Sequence, residues 1–400
     1  MKKKEVITGY TAFVATVCLL TFALNMINGR FHLGDFRVYY TAAERLISGE
    51  PVYLVSFYEG SGFYKYSPAT LLFFIPYNLF PFRVAAVLHF CLLSAAYWYF
   101  FILLRRIIRG YLVTGPLKRE ILLLSVSFLC IAIHLSRELY LGNINIILLL
   151  LCCLALQDFL SGRQIRGGIL LAGAILTKPY LIVILLPLLW RRSWKAPAIT
   201  LMGIAAGLML PLIYPGPGRF AGLYRDWFET VLSHGEGFPG MTSISYLAEH
   251  YLPGWPSWGS WLIILPALLG VSCLILLNIK NERNPGLPGE RERNLAFEWF
   301  LILGLLPNLI KTDWVLMLFT APLITYMIFG IAAGRRYWFI PLLAVLLFFY
   351  GMNSDDLLGR ELSRYILHSG LMGLSNFLLA LVSLFMFYHS AHANKPRLLS

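Results

Sequence analysis

The chain has 400 residues, of which 58% are hydrophobic and 13% charged, with a formal net charge of +13. A soluble domain usually carries about 25% charged residues, so this composition argues against an ordinary water-soluble protein. The positive charge is scattered in small clusters at the ends of apolar runs, which argues equally against a nucleic-acid-binding stripe.

About 20 apolar residues cross a bilayer as a helix, and lipid offers a bare backbone no hydrogen bonds, so the recurring runs predict an all-α polytopic membrane protein. The first run, 6–27, follows Met1-Lys-Lys-Lys and reads as an uncleaved first helix with a cytoplasmic N-terminus. Residues 28–82 then form a first outer loop rich in Phe and Tyr. Within it, 69–79 is apolar but too short to cross, and with Pro68, Pro76 and Pro81 around it the segment predicts an interfacial or re-entrant helix. Further spans are expected at 84–104, 120–136 and 143–160.

The stretch 167–190 is apolar except at Thr177-Lys178-Pro179. A straight span would hold Lys178 near the bilayer centre at a cost of about 2.5–3.5 kcal/mol. A break at Pro179 gives instead two short helices that enter and return, with Lys178 at the apex. Charge distribution favours the returning hairpin. With it, later cytoplasmic segments hold eleven Lys/Arg and later outer segments five, in line with ten inside and six outside before the break. The remaining spans are 196–214, 258–278, 295–310, 314–332, 337–350 and 370–388. The expected architecture is one transmembrane domain over 1–390 with about ten full spans, a second long outer loop at 215–257 and a cytoplasmic tail at 391–400. Both termini are then cytoplasmic, and chemistry falls on the outer face.

Asp35, in Gly34-Asp-Phe-Arg-Val-Tyr-Tyr, is a carboxylate among aromatic residues at a membrane boundary, where partial desolvation favours a general base. Its plainer reading is a solvated interfacial Asp, paired with Arg37. Lys178 suits the phosphate of a membrane-anchored substrate, or else snorkels to the headgroups. Asn143 and Asn145, in Gly142-Asn-Ile-Asn, either cap the helix that follows or line a sugar site; capping is expected of one of them. Tyr64 and Tyr66 read as an interfacial aromatic belt, and Lys65 as a contact to lipid phosphate. The six cysteines, at 18, 91, 130, 152, 153 and 273, fall within apolar runs with no metal spacing or disulfide framework. No glycine-rich phosphate loop, metalloprotease motif or nucleophile elbow is present.

Four elements in order resemble glycosyltransferase family 87, a group of polyprenol-phosphate-dependent, mannosyltransferase-like membrane proteins. They are Gly34-Asp-Phe-x-Val-Tyr-Tyr with Gly49-Glu-Pro-Val-Tyr, Phe63-Tyr-Lys-Tyr-Ser-Pro, Gly142-Asn-Ile-Asn, and Ala174-Ile-Leu-Thr-Lys-Pro with its basic exit. The resemblance covers about 30–195 and implies a GT-C-like bundle with Asp35 as catalytic base. It also implies a lipid-linked phosphosugar donor whose phosphate Lys178, with Lys65, would hold, and transfer to an extracytoplasmic glycolipid or polysaccharide. Tyr39, Tyr66, Asn143, Asn145, Lys311 and Asp313 are the candidates for contact with sugar or acceptor. Departures stand at Asn143, where the family has Gln, at Met241-Thr-Ser, and at Lys311-Thr-Asp-Trp, where the family often has a Ser-Trp-x-His-His element. Neither a cofactor nor a metal is expected; partners are membrane lipids, donor and acceptor, with no nucleic acid. Two rival readings remain: a transporter or flippase for lipid-linked sugars, and a polysaccharide ligase or polymerase using a pyrophosphate-linked donor.

Overall fold

A computed structural model describes residues 3–57, 62–233, 240–252, 254–282, 289–311, 313–351 and 355–393. The expected tail beyond residue 393 therefore lies outside the described residues, as does Thr312. Among the described residues regular structure is helical, and β pairing is confined to one isolated bridge between Ser56 and Phe63.

In chain order the helices begin with α1 (Lys3–Ile27), α2 (Gly34–Ser48), the short α3 (Pro68–Leu71), α4 (Phe82–Ile107), α5 (Glu120–Cys130), α6 (Ala132–Leu141) and α7 (Asn145–Leu160). Next come α8 (Gln164–Thr177), α9 (Leu186–Trp190), α10 (Lys195–Met209), α11 (Pro217–Ser233), α12 (Ile244–Tyr251) and α13 (Trp261–Glu282). The last are α14 (Glu290–Leu309), α15 (Ala321–Gly334), α16 (Ile340–Gly351), α17 (Asp355–Leu358), α18 (Arg360–His368) and α19 (Leu371–Ala393).

Six helical stretches among the described residues are long and apolar enough to cross a membrane: 5–27, 82–112, 195–212, 258–282, 314–334 and 371–389. The pair α5 and α6, bent by 61°, makes a seventh if it counts as one broken span. Ten full crossings do not follow from helix length: α7, α8 and α16 have 16, 14 and 12 residues. At 1.5 Å per residue each falls short of a hydrocarbon core about 30 Å thick. The apolar stretches differ in how they are covered. In the apolar part of 258–282, which includes α13, only 17% is buried, against 89% in that of 314–334. In water the open face of α13 would be an association liability, whereas in a bilayer it meets lipid.

The chain divides into two compact units, one of Met1–Tyr10, Leu104–His134 and Phe238–Ser400, the other of Thr11–Leu103 and Leu135–Gly237. In the first, α14 packs against α19 and the 3-10 turn Trp314–Thr320 that leads into α15. Its polar joint is Asn376, which donates to Asn308 Oδ1 (2.6 Å) and to the Gly304 carbonyl (2.8 Å), so that a buried amide is satisfied within the helices.

In the second unit α8 packs along both α7 and α10. The first outer loop has its own core: Phe36, Tyr39, Ala43 and Leu46 mark a buried stripe at helical spacing on α2, and it packs with Tyr53, Tyr64, Leu71 and Phe74. The expected short helix in this loop takes the form of α3 and a 3-10 turn over Ile75–Leu79. All four residues of α3 are buried, and Ser67 just ahead of it donates to the Leu176 carbonyl (2.7 Å) at the end of α8. The break at Lys178 is present. Lys178 is extended (φ −130°, ψ 95°), and a 3-10 turn, Pro179–Leu185, follows it because proline cannot continue the preceding helix.

Candidate active site

The hydrogen-bonded groups around Asp35 and Lys178 lie within the second unit. Leu33 adopts a left-handed conformation (φ 45°) that turns the chain into α2 and sets Asp35 in the first helical turn. The positive end of a helix favours a carboxylate there. Asp35 Oδ2 accepts a hydrogen bond from Asn143 Nδ2 at 2.6 Å. Arg37, the plainer partner suggested for Asp35, has its guanidinium over the Phe82 ring at 4.8 Å.

Asn143 reaches Asp35 because of the turn that precedes it. Gly142 has φ +67°, and a Cβ there would lie 2.8 Å from Phe36 Cβ and 2.9 Å from Leu33 Cδ2. Only glycine combines that backbone conformation with so close an approach to the start of α2. His89 holds the same turn, with Nε2 donating to the Gly142 carbonyl (2.9 Å) and its ring stacked on Phe36 (4.2 Å between centroids, 12° between planes). The Tyr77 hydroxyl bonds the other ring nitrogen at 3.2 Å.

From Asn143 the polar chain runs on. Its Oδ1 accepts from the Ile144 N–H (2.7 Å) and, at 3.4 Å, from the Tyr66 hydroxyl, which bonds the Tyr39 hydroxyl at 3.0 Å. Burial raises the pKa of Tyr39, with Tyr66 and Asp35 adding to the effect, and burial raises that of Tyr66. Both phenols are thus held neutral as hydrogen-bonding groups. Tyr64 and Tyr66 are not a lipid-facing belt: Tyr64 is 1% exposed, and both pack edge-on with each other inside the first loop.

Two residues beyond Asn143, a second chain begins. Asn145 Oδ1 accepts from Lys178 Nζ at 2.5 Å, and Asn145 Nδ2 donates to Glu138 Oε2 at 3.1 Å. Glu138 Oε1 also accepts from the Ile146 N–H at 3.0 Å. The expected capping of α7 by an asparagine is therefore corrected. The position before the helix is Ile144, with no side-chain cap, and a first-turn N–H is satisfied by Glu138 from α6. Lys178 is not snorkelling freely; its ammonium is bonded to Asn145 and lies 5.9 Å and 6.0 Å from the Tyr66 and Tyr180 ring centroids.

Lys65 is half-buried beside this group. Burial lowers its pKa, and Asp35 partly restores it. Its backbone carbonyl accepts from Trp227 Nε1 at 3.0 Å, which ties the loop to α11. The structure thus brings together Asp35, Tyr39, Tyr66 and Asn143, and links Asn145 with Lys178. Lys311 and Asp313 belong to the other unit, where Lys311 pairs with Glu249 and Asp313 precedes the 3-10 turn at Trp314. Among the described residues no group of three or more His, Cys, Asp or Glu side chains gathers as a metal site would require.

Sequence reasoning missed Glu138 and His89. Glu138 lay just past the expected span 120–136, beside Arg137, where a charged residue reads as an ordinary span end. His89 carries no mark either, being a lone histidine in the apolar run of α4.

Residues 63–288, more than half of the chain, match the model of glycosyltransferase family 87. That stretch contains Lys65, Tyr66, Glu138, Asn143, Asn145 and Lys178, while Asp35 and Tyr39 precede it. An alpha-(1->3)-arabinofuranosyltransferase of Corynebacterium glutamicum is 26% identical over 259 residues, which covers 62% of this chain and 57% of that relative. The chain thus spans little more than half the length of the relative it matches. No solved structure matches.

Proposed function

This chain belongs to glycosyltransferase family 87, and from that premise we propose that it moves a sugar from a polyprenyl-phosphate donor to a glycan or glycolipid acceptor on the extracytoplasmic side of the plasma membrane. The observation that carries the reading is the pair of opposite charges tied to one turn. Asp35 is bonded to Asn143, and Lys178 to Asn145 two residues on. A transferase drawing on a lipid phosphosugar needs such a pair, a base for the acceptor hydroxyl and a cation for the departing phosphate.

In this mechanism Asp35 takes the proton of an acceptor hydroxyl as that oxygen attacks the anomeric carbon. The bond from that carbon to the phosphate oxygen breaks, and its electron pair leaves with the polyprenyl phosphate. Lys178 stabilises the charge that grows on the leaving oxygen, and Lys65, a second cation that interacts with Asp35, is offered to the same phosphate. A single carboxylate acting in one displacement inverts the anomeric carbon. The bond broken already holds the energy of transfer, so no nucleotide site is called for. The neutral phenols of Tyr39 and Tyr66 and the Asn143 amide supply hydrogen bonds for sugar hydroxyls. Membership of a glycosyltransferase family favours transfer over the transporter reading. On the spans expected from the sequence, the bias of Lys and Arg toward one side supports cytoplasmic termini and an outer site.

Mannose is the sugar suggested by the sequence resemblance. The named activity of the corynebacterial relative adds arabinofuranose as a second donor to test. The experiment is transfer by the purified chain in lipid vesicles, offered polyprenyl-phosphate mannose or polyprenyl-phosphate arabinofuranose with a mixed glycolipid extract, and Asp35→Asn in parallel. Transfer that vanishes in Asp35→Asn while donor binding persists supports the base. Transfer undiminished in that variant overturns the assignment of Asp35, and activity confined to a pyrophosphate-linked donor favours the ligase or polymerase reading.

A further inference from the structure

We propose that Glu138 is a positioning residue for the donor phosphate: its carboxylate fixes the polarity of the Asn145 amide and thereby holds the Lys178 ammonium at the break after α8. The proposal rests on the reading of Lys178 as the phosphate-binding cation. Glu138 is fully buried and Asn145 is 2% exposed, so neither exchanges its partners with bulk water. The carboxylate accepts two hydrogen bonds from two donors, Asn145 Nδ2 on one oxygen and the Ile146 N–H on the other. A carboxylate is the side chain of this size with acceptors alone at both positions. With its NH2 group committed to Glu138, the Asn145 amide can present only its carbonyl oxygen to Lys178, and that oxygen receives the ammonium at 2.5 Å.

The direction of the chain is what matters. A glutamine at 138 would offer one oxygen and one NH2 group to the same two donors, leaving an N–H facing an N–H. Turning the Asn145 amide over relieves that clash but aims its NH2 at the Lys178 ammonium, donor against donor. The first arrangement strains the tie between α6 and α7, and the second costs the ammonium its bond to Asn145, which helps hold it near the Tyr66 ring. Glu138 acts on the phosphate site through Asn145. The same carboxylate ties α6 to the first turn of α7, so the element that places Asn143 against Asp35 also sets Lys178.

The test uses the full-length protein in vesicles and unlabelled polyprenyl phosphate as a competitor that reports on the phosphate site. Glu138→Gln is expected to weaken polyprenyl phosphate by about tenfold or more, the loss typical of a hydrogen bond to a charged group. KM for the lipid donor should rise in step, with kcat at saturating donor changed much less. Lys178→Ala should show at least the same loss of polyprenyl phosphate affinity, with kcat lowered as well because the ammonium also stabilises the leaving phosphate, and the double variant should bind no worse than Lys178→Ala alone, because the two act as one unit. If Lys178→Ala leaves polyprenyl phosphate affinity unchanged, the reading of Lys178 itself fails. If Lys178→Ala weakens it and Glu138→Gln does not, or if the two losses add in full, the positioning role fails. Should Glu138→Gln not fold, Asn145→Ala breaks the same chain at its middle link. Reduced affinity there supports the role and unchanged affinity overturns it.

Discussion

Gly142→Ala should damage both stability and transfer, and the structure fixes how much of each cause to expect. At φ +67° an L side chain is strained, at a cost of about 1–2 kcal/mol. The new Cβ would also stand 2.8 Å from Phe36 Cβ and 2.9 Å from Leu33 Cδ2, both in a packed core with little freedom to yield. Overpacking of that kind costs about 1–3 kcal/mol, for a combined loss of about 2–5 kcal/mol. Gly49→Ala is the built-in control: its φ is +81°, but the added Cβ meets only Arg219 Nη1, at 3.5 Å. It should lose only the conformational part. Thermal midpoints of the detergent-solubilised variants should therefore fall in the order wild type, Gly49→Ala, Gly142→Ala. Relief of the clash pushes Asn143 away from α2, so sugar transfer should also drop in Gly142→Ala and persist in Gly49→Ala. If Gly142→Ala melts no lower than Gly49→Ala and retains full transfer, the close seating of this turn on the start of α2 is wrong, and with it the placement of Asn143.

Asn143→Leu removes the donor to Asp35 and should cut the rate of transfer by about 10- to 100-fold, as expected for a lost hydrogen bond to a charged group worth about 1.5–3 kcal/mol. Affinity for polyprenyl phosphate, which carries no sugar, should be nearly unchanged, and a loss confined to that affinity would refute the role. Lys65 bears on pH: burial lowers its pKa, so its charge is lost at a lower pH than that of an ordinary lysine. Affinity for an anionic donor should weaken as pH rises through that lowered range. In Lys65→Arg, whose guanidinium stays charged, the pH dependence should flatten; an identical profile in both proteins would remove Lys65 from the phosphate site.

The helical class was legible in the sequence because the bilayer forces every apolar run to satisfy its own backbone. The number of crossings was less so: apolar content marks a run but not how far its helix extends, and α7, α8 and α16 proved short. The break at Lys178 could be read from a charge followed by proline. Asp35, Asn143, Lys178 and Tyr66 were visible as polar residues in motifs or in apolar surroundings. Their pairing was not, since 108 residues separate Asn143 from Asp35, and nothing local records that contact. The expected asparagine cap failed for a related reason. Local preference puts Asn at a helix start, but a buried carboxylate from the preceding helix is a stronger acceptor for the same N–H. Tyr64 was misread because an aromatic residue near a membrane has the same sequence signature whether it faces lipid or a folded loop.

The turn between α6 and α7 explains why so weak a motif can anchor a site. Alternate residues of Gly142-Asn-Ile-Asn serve different partners: Asn143 holds the carboxylate of Asp35, while Asn145 holds the ammonium of Lys178. Between them Ile144 is 6% exposed and belongs to the core under the first loop. Neither amide carries net charge, so each can contact a charged residue without the repulsion or the neutralisation that a second ion would bring. Neutral amides orient each charge without cancelling it, Asn143 the carboxylate of the base and Asn145 the ammonium of the cation. This arrangement asks for short amides on a rigid turn more than for any particular sugar, so the turn sets where base and cation stand, and discrimination among donors and acceptors falls to the residues around it.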